Sequence, residues 1–209
     1  HYNQLAAAHN QKHGGLIPGK WQLDYLPLDS EHGQRYLAEM GYCVQFAAAN
    51  RQAMMERLRE ILLEIEPAVS FAAVIDVAHN YAAQENHFGR EVFVHRKGAT
   101  RAGIGELGII PGSQGSTSYL VRGLGNPESF YSCSHGAGRR LGRKQAQREL
   151  DLQTEVKNLE HLGVLHSLRH KRDLEEAAGA YKDITQVIGN QSDLVEVVTT
   201  LRPLAVVKG

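Results

Sequence analysis

The sequence predicts an α+β fold with β-sheets packed at its centre and helices around them. Apolar residues recur at helical spacing through the first third of the 209 residues. From about residue 70, short apolar or alternating runs typical of strands are separated by loops of Gly, Ser and Thr. Helical segments and a last apolar strand follow toward the C-terminus. This order of elements is typical of helices packed on central sheets.

Three helices are expected in the first third. A run of small apolar residues without breakers marks the first, and Gly14 ends it. Asp29 or Ser30 is a suitable N-cap for the second. Pro67 ends the third, and the apolar side of these helices, which includes Cys43, is expected in the core. The three helices should cover residues 1–13, about 30–49 and 50–66.

Three strands are expected in the middle of the chain. The continuous apolar run over residues 71–77 predicts a buried strand that ends near His79. A short helix or turn should follow, up to Gly89. The alternating run over 91–95 and the apolar run over 119–122 predict two further strands. The loops between strands suit a phosphate or nucleotide site, although ordinary turns use the same residues.

Helical and apolar segments alternate in the last third. A helix is expected over residues 185–188, and the segments 193–201 and 204–209 are apolar. Lys208 lies at the end of the last segment, where it would deliver a charge to a site or lie in a solvated tail.

Composition narrows the function classes. The 23 basic and 23 acidic residues balance, so a nucleic-acid surface would have to be local. Two cysteines without a CxxC pair favour a reducing compartment, and we therefore predict a cytoplasmic protein. No apolar stretch approaches the length of a membrane span, and the first residues lack the charged and apolar regions that are typical of a secretory signal.

The strongest functional signal is the segment Ser-Cys-Ser-His-Gly-Ala-Gly-Arg at residues 132–139. Small residues follow His135, so backbone N–H groups can approach a ligand beside the imidazole and form an anion nest. A neutral imidazole next to a bound phosphate can attack phosphorus and form a covalent phosphoramidate. The alternative is that His135 only ends a strand at a glycine turn.

Two neighbouring features also have a functional and an ordinary interpretation. His79 could ligate a metal through one ring nitrogen, with Asn80 holding a substrate oxygen, but no complete metal set is evident in the 209 residues. A basic stretch after His135 is expected on a helix, where it would bind a polynucleotide backbone or form a solvated face. Its members are Arg139, Arg140, Arg143, Lys144 and Arg148.

Six segments in order resemble the RtcB family of GTP- and manganese-dependent RNA-splicing ligases. The resemblance covers nearly the whole chain, and six separated segments are far more specific than any one of them. They are Asp-Val-Ala-His-Asn-Tyr at 76–81, His-Arg-Lys-Gly-Ala-Thr-Arg-Ala at 95–102, Ile-Pro-Gly-Ser at 110–113, the His135 segment at 132–139, Ala-Tyr-Lys-Asp-Ile at 180–184 and Val-Lys-Gly at 207–209.

The resemblance implies a reaction and a set of site residues. His135 would attack the α-phosphorus of GTP, and the GMP would pass to an RNA 3′-phosphate, often derived from a 2′,3′-cyclic phosphate, before a 5′-hydroxyl end displaces it. His79 would bind Mn²⁺, which suits imidazole and oxygen ligands and neutralises phosphate charge. The sheets would form the walls of one cleft. The implied nucleotide contacts are His79, Asn80, Pro111, Gly112, Ser113, Gln114, Ser118, His135, Gly136, Ala137, Gly138, Tyr181 and Lys208.

The sequence also departs from the family pattern. The family's Asp-Gly-Cys and Gly-Asn-His-Phe segments, which carry most metal ligands, do not occur in the 209 residues. Gln114 replaces a usual Met, and Gly142 stands where Ser is common. The resemblance therefore implies the C-terminal part of one catalytic domain over residues 1–209, which needs an N-terminal half for the full metal site.

Two other functions stay open beside the RNA ligase. One is a catalytically incomplete fragment that binds a nucleotide or RNA. The other is a metal-dependent phosphohydrolase that uses His135 as a transient phosphate acceptor.

Overall fold

The computed structural model describes residues 1–206. The chain divides into two compact units, one formed by His1–Phe71 and one that begins at Ala72. Helices and small antiparallel sheets together make a mixed α+β fold, as the sequence predicts. Among the described residues, no helix has both the length and the apolar character needed to cross a membrane.

The first unit consists mainly of two helices, α1 (Tyr2–Lys12) and α2 (Glu31–Ile65). The predicted first helix and the cap at Ser30 are confirmed, since the Ser30 hydroxyl accepts a hydrogen bond from the Gly33 N–H at 3.0 Å. The predicted break at Asn50 is wrong, because α2 continues through it for 35 residues. No Gly or Pro occurs between residues 42 and 66, so nothing in the sequence stops the helix before Pro67.

The apolar side of α2 is exposed in the structure. Met54 is 58% exposed and Ile65 74%, and Cys43 is also exposed. The prediction that these residues lie in the core is therefore wrong. Helical spacing indicates which residues share a face, but it does not supply an element that covers the face.

Three small sheets form the strand part of the second unit. Strand β1 pairs with β2, β3 pairs with β6, and β5 lies between β4 and β7, with every pairing antiparallel. The strands expected over 91–95 and 119–122 are confirmed within β2 and β5. The seven strands are β1 (Asn80–His87), β2 (Arg90–Lys97), β3 (Ala99–Arg101), β4 (Leu107–Ile110), β5 (Ser118–Gly123), β6 (Ser132–Ser134) and β7 (Val195–Leu201).

The first predicted strand is displaced in the structure. Residues 71–77 form no strand, and β1 begins only at Asn80, where a short helix or turn was expected. Phe88 and Gly89 both have positive φ, 53° and 74°, and turn the chain so that His87 pairs with Arg90. Such a two-residue turn matches the twist of paired strands and produces a hairpin.

The second unit also contains three α-helices: α3 (Arg143–Glu149), α4 (Leu152–His161) and α5 (Ile184–Gly189). The helix expected near residue 185 is confirmed. The basic stretch lies only partly on a helix, because α3 begins at Arg143 and leaves Arg139 and Arg140 in the preceding loop. The final strand is reduced, within its described part, to one isolated bridge between Leu165 and Ala205.

One buried cluster lies beneath the loops that follow β4 and β6. Its members come from four strands, the residue after β3, the loop after β6 and α5, so it fixes the ends of these strands relative to one another. Ile110 is fully buried at the end of β4, and Cys133 packs beside it from β6. The cluster comprises Ala102, Ile110, Val121, Cys133, Ala137, Ile184 and Val195.

Truncating Ile110 tests this core. The change Ile110→Ala should lower the free energy of unfolding by about 2–5 kcal/mol, because it leaves a cavity in a fully buried position. The matched change Ile104→Ala, at a side chain that is 84% exposed, should cost less than about 0.5 kcal/mol. Urea denaturation followed by circular dichroism measures both. Equal effects would contradict the assignment of the core.

Candidate functional site

A cavity of about 720 Å³ opens where several strands and loops end. Three chain segments that are far apart in sequence meet there: the start of β1, the loop after β4 and the loop after β6. Cations from two further segments also contribute. The lining residues are His79, Asn80, Lys97, Gly98, Pro111, Gly112, His135, Gly136, Ala137, Gly138, Arg139, Arg143 and Tyr181.

His135 is half-buried on the wall of the cavity, directly after β6. Its ring stacks on that of His79, with centroids 5.7 Å apart and an interplanar angle of 22°. Its Nδ1 is buried without a hydrogen-bond partner and faces Gly98, where an added Cβ would lie 3.9 Å from it. Nε2 is therefore the ring nitrogen that can reach a ligand in the cavity.

The loop after His135 is fixed by backbone and hydroxyl hydrogen bonds. The Ala137 N–H donates to the Pro111 carbonyl at 3.0 Å, which ties this loop to the end of β4. The Ser134 hydroxyl donates to the Gly136 carbonyl at 2.6 Å. Because the Ala137 N–H already has an acceptor, it is not available to an anion in this conformation. The loop therefore offers an anion fewer backbone N–H donors than the sequence predicts.

The loop after β4 brings Gly112 to the cavity. A Cβ at Gly112 would lie 2.1 Å from the Thr117 carbonyl oxygen, so only glycine fits this approach of backbone to backbone. The Gly112 N–H donates to the Ser118 hydroxyl at 3.2 Å, and the Ser113 N–H donates to the Ser116 hydroxyl at 2.6 Å. Ser113 and Ser118 thus hold the loop, and neither they nor Gln114 line the cavity.

A carboxylate organises the cationic side of the cavity. Arg139 Nη1 lies 3.2 Å from both Glu176 Oε2 and the Tyr181 hydroxyl, and Arg143 Nε lies 3.5 Å from Glu176 Oε1. The Tyr181 hydroxyl donates to Glu176. Burial and this hydrogen bond raise the pKa of Tyr181, so the phenol stays protonated and neutral near pH 7.

Sequence reasoning missed Glu176 and assigned no separate role to Lys97. Glu176 lies in a 3-10 helix (Lys171–Glu176) and meets Arg139 across 37 residues of sequence, so no local pattern indicates it. Lys97 does carry a signal, because it belongs to the cationic glycine-containing run that begins at the end of β2. Lys208 lies outside the described residues.

The residues suit phosphate better than a complete metal site. Lys97, Arg139 and Arg143 place three cations on the wall of one cavity, and guanidinium groups match phosphate geometry. Within residues 1–206, no three His, Cys, Asp or Glu side chains form a group that could hold a metal ion. His79 alone, exposed at the cavity, fits as a single imidazole ligand.

Comparison with known proteins gives one consistent result. A protein-family model described as tRNA-splicing ligase RtcB matches residues 1–209. The RNA-splicing ligase RtcB of Escherichia coli strain K12 is 39% identical over 215 residues, which cover 100% of this chain and 52% of that protein.

Two more distant relatives agree. The RNA-splicing ligase RtcB of Mycobacterium tuberculosis strain H37Rv is 36% identical, with 100% of this chain and 52% of that protein covered. The tRNA-splicing ligase RtcB of Thermococcus kodakarensis is 35% identical, with 100% and 48% covered. The chain spans about half the length of the curated relatives it matches.

A methyl group at Gly112 tests the loop geometry. Gly112→Ala should lower the free energy of unfolding by about 1–3 kcal/mol, because the Thr117 carbonyl must move. Gly189→Ala is the matched control, since a Cβ there meets nothing within 4 Å. It should be neutral or stabilise by up to about 1 kcal/mol. Thermal and urea unfolding measure both, and a neutral Gly112→Ala would contradict the close approach.

Proposed function

The chain belongs to the RtcB family, and from this premise we propose that it carries the nucleophile and part of the nucleotide site of an RNA ligase. The proposed reaction joins an RNA 3′-phosphate or 2′,3′-cyclic phosphate end to a 5′-hydroxyl end. It uses GTP and Mn²⁺ and proceeds through GMP bound covalently to His135.

The orientation of the His135 ring is the observation that carries the proposal. Nδ1 is buried and Nε2 is left for the cavity, where Lys97, Arg139 and Arg143 supply positive charge. A neutral imidazole with one nitrogen held inside and the other beside bound phosphates is arranged for attack on phosphorus. The adjacent cations stabilise the negative charge of the phosphates and of the transition state.

Water first opens a 2′,3′-cyclic phosphate end by breaking its bond to the 2′-oxygen, which leaves the 3′-phosphate, and three steps follow. Nε2 attacks the α-phosphorus of GTP, a P–N bond forms, and the bond to the β-phosphate breaks with release of pyrophosphate. An oxygen of the RNA 3′-phosphate then attacks the same phosphorus, which breaks the P–N bond and leaves GMP on the RNA end. Finally the 5′-hydroxyl oxygen attacks the phosphorus of the RNA 3′-phosphate and its proton passes to solvent. The bond from that phosphorus to GMP breaks, GMP leaves, and a phosphodiester bond remains.

Arg139 and Arg143 are proposed to bind phosphates of the RNA. Both line the cavity, and both are held on the Glu176 carboxylate, which fixes their direction. Phosphate contacts of this kind position a nucleic acid without reading its sequence. The Tyr181 hydroxyl, kept neutral, donates to Glu176 and so supports the same arrangement.

His79 is the residue proposed to bind Mn²⁺, with Asn80 next to it at the nucleotide. The metal, when bound, supplies neutralisation of phosphate charge. Because residues 1–206 offer no group of three ligand side chains, the other ligands would have to come from outside these residues. The same observation favours a second candidate for the 209 residues taken alone, a nucleotide- or RNA-binding unit without covalent chemistry.

Replacing the proposed nucleophile gives the direct test. In a chimera in which this chain replaces the matched part of the E. coli ligase, radiolabelled GTP and Mn²⁺ should leave acid-labile GMP on the protein. His135→Ala should abolish this label, because the P–N bond cannot form. His161→Ala, at an exposed position on α4, should keep the label within about twofold.

Three outcomes separate the candidate functions. Label on His135→Ala would refute the nucleophile assignment. Release of inorganic phosphate from RNA without ligation would favour the phosphohydrolase. The 209-residue chain without the rest of the chimera should bind GTP but stay unlabelled, and strong labelling of it would show that it holds a complete site.

A further inference from the structure

We propose that Arg96 is a positioning residue that sets the place of His135 relative to His79. The inference rests on the proposed function, in which these two histidines act at one phosphate. Arg96 itself lies on β2 and does not line the cavity.

The guanidinium of Arg96 is buried and fully hydrogen-bonded. Arg96 is only 2% exposed. Its Nη1 donates to Glu85 Oε1 at 2.5 Å and to the Tyr81 hydroxyl at 3.2 Å. Its Nη2 donates to Glu85 Oε2 at 3.0 Å and to the Phe130 carbonyl at 2.9 Å, and its Nε donates to the Ser132 hydroxyl at 3.0 Å. These contacts use all five N–H donors of an arginine.

The partners of Arg96 lie on the two segments that carry the histidines. Tyr81 and Glu85 belong to β1, which begins immediately after His79. Ser132 is the first residue of β6, and His135 follows the end of that strand. Strands β1 and β6 lie in different two-stranded sheets, so backbone pairing does not join them directly. Arg96 supplies a direct side-chain connection between them.

The segment that enters β6 needs such support. Phe130 and Tyr131 both have positive φ, 54° and 51°, a conformation that L-residues rarely adopt. Arg96 holds the Phe130 carbonyl from one side. The buried ring of His87 packs against both aromatic rings, with centroids 4.8 Å from each. Strained backbone persists where surrounding contacts fix it, often beside functional sites.

A second carboxylate contact completes the network. His87 Nε2 lies 2.9 Å from Glu85 Oε2. Glu85 therefore contacts both Arg96 and the His87 ring that packs on Phe130 and Tyr131.

Arg101 Nη1 also reaches Glu85, at 3.0 Å, and its Nε lies 2.9 Å from Glu106 Oε1. The backbone of Arg101 pairs with that of Ser132 across β3 and β6. The ion pairs of the Arg101 side chain thus go to Glu85 and Glu106, whereas its connection to β6 is made by the backbone. Arg101→Lys keeps that backbone pairing and changes only a second cation on Glu85, which makes it the matched control.

The consequence for reaction is geometric. A displacement of about 1 Å between reacting groups can slow a reaction by about a hundredfold. Lysine at position 96 would keep the positive charge, but it offers three donors without the planar fork and cannot hold the five acceptors. Arg96→Lys should therefore shift His135 while leaving the cations of the cavity, and thus GTP binding, nearly unchanged.

The experiment combines a rate with a spectroscopic measurement. In the chimera, Arg96→Lys should slow GMP attachment to His135 by about ten- to a hundredfold, with the Kd for GTP within about threefold. Arg101→Lys should stay within about twofold in rate. In the 209-residue chain with ¹³C-labelled histidine, Arg96→Lys should move the ring signals of His79 and His135, whereas Arg101→Lys should not.

A second, smaller substitution tests the proposal even if Arg96→Lys does not fold. Ser132→Ala removes the Nε acceptor on β6 together with the hydrogen bond from the Ser132 hydroxyl to the Phe130 carbonyl. It should slow GMP attachment by about three- to tenfold in a variant that still unfolds in one cooperative transition. A wild-type rate in folded Arg96→Lys, or an equal loss in Arg101→Lys, would overturn the proposal. If the unsubstituted chimera acquires no label, the proposed function fails, and the histidine signals still decide whether Arg96 positions the two rings.

Discussion

The buried guanidinium of Arg96 is the interaction on which the arrangement of the second unit depends. An arginine that is 2% exposed is tolerated only because a carboxylate and uncharged acceptors satisfy every donor. Removing one partner of a buried ion pair typically costs about 3–5 kcal/mol, since a charge is left uncompensated. Arg96 and Glu85 therefore fix the β1–β2 hairpin against the segment that enters β6. His79 precedes β1 and His135 follows β6, so the same contacts fix where these two histidines lie.

Single hydrogen bonds fix the loop around His135, which forms another wall of the cavity. The Ala137 N–H binds the Pro111 carbonyl, and buried Gln191 accepts a hydrogen bond from the Ser134 N–H at 2.9 Å. These contacts hold the chain on both sides of His135. Two of the cations, Arg139 and Arg143, contact the Glu176 carboxylate, which fixes where their charge lies. Holding the reacting groups in a fixed geometry is what positioning catalysis requires.

The sequence predicts the fold class and several of the segments that line the cavity, but not every element around them. The small residues near His135 and the Pro-Gly turn at Pro111 leave local signals, and the structure does bring these segments together with His79 and Tyr181. Strand β1 leaves no such signal, because its residues are mostly polar. It pairs with β2, and it buries His87 and the Glu85 side chain that binds Arg96. Asn50 looks like a cap yet lies inside α2, because propensity at one residue is weaker than a continuous helical run. The roles proposed for His79 and Lys208 stay predictions.

The pKa of the Glu85 carboxyl tests the central claim most directly. Hydrogen bonds from Arg96 and then from His87, with the charges of Arg96 and Arg101, lower the pKa of Glu85 to about 2. A lowered folded-state pKa contributes stability above the ordinary value near 4.5, and that stability is lost as the pH falls toward 2. A ¹³C NMR titration of the Glu85 side chain in the 209-residue chain should give a value near 2. A value near 4.5 in the folded protein would contradict the buried network and the positioning argument built on it.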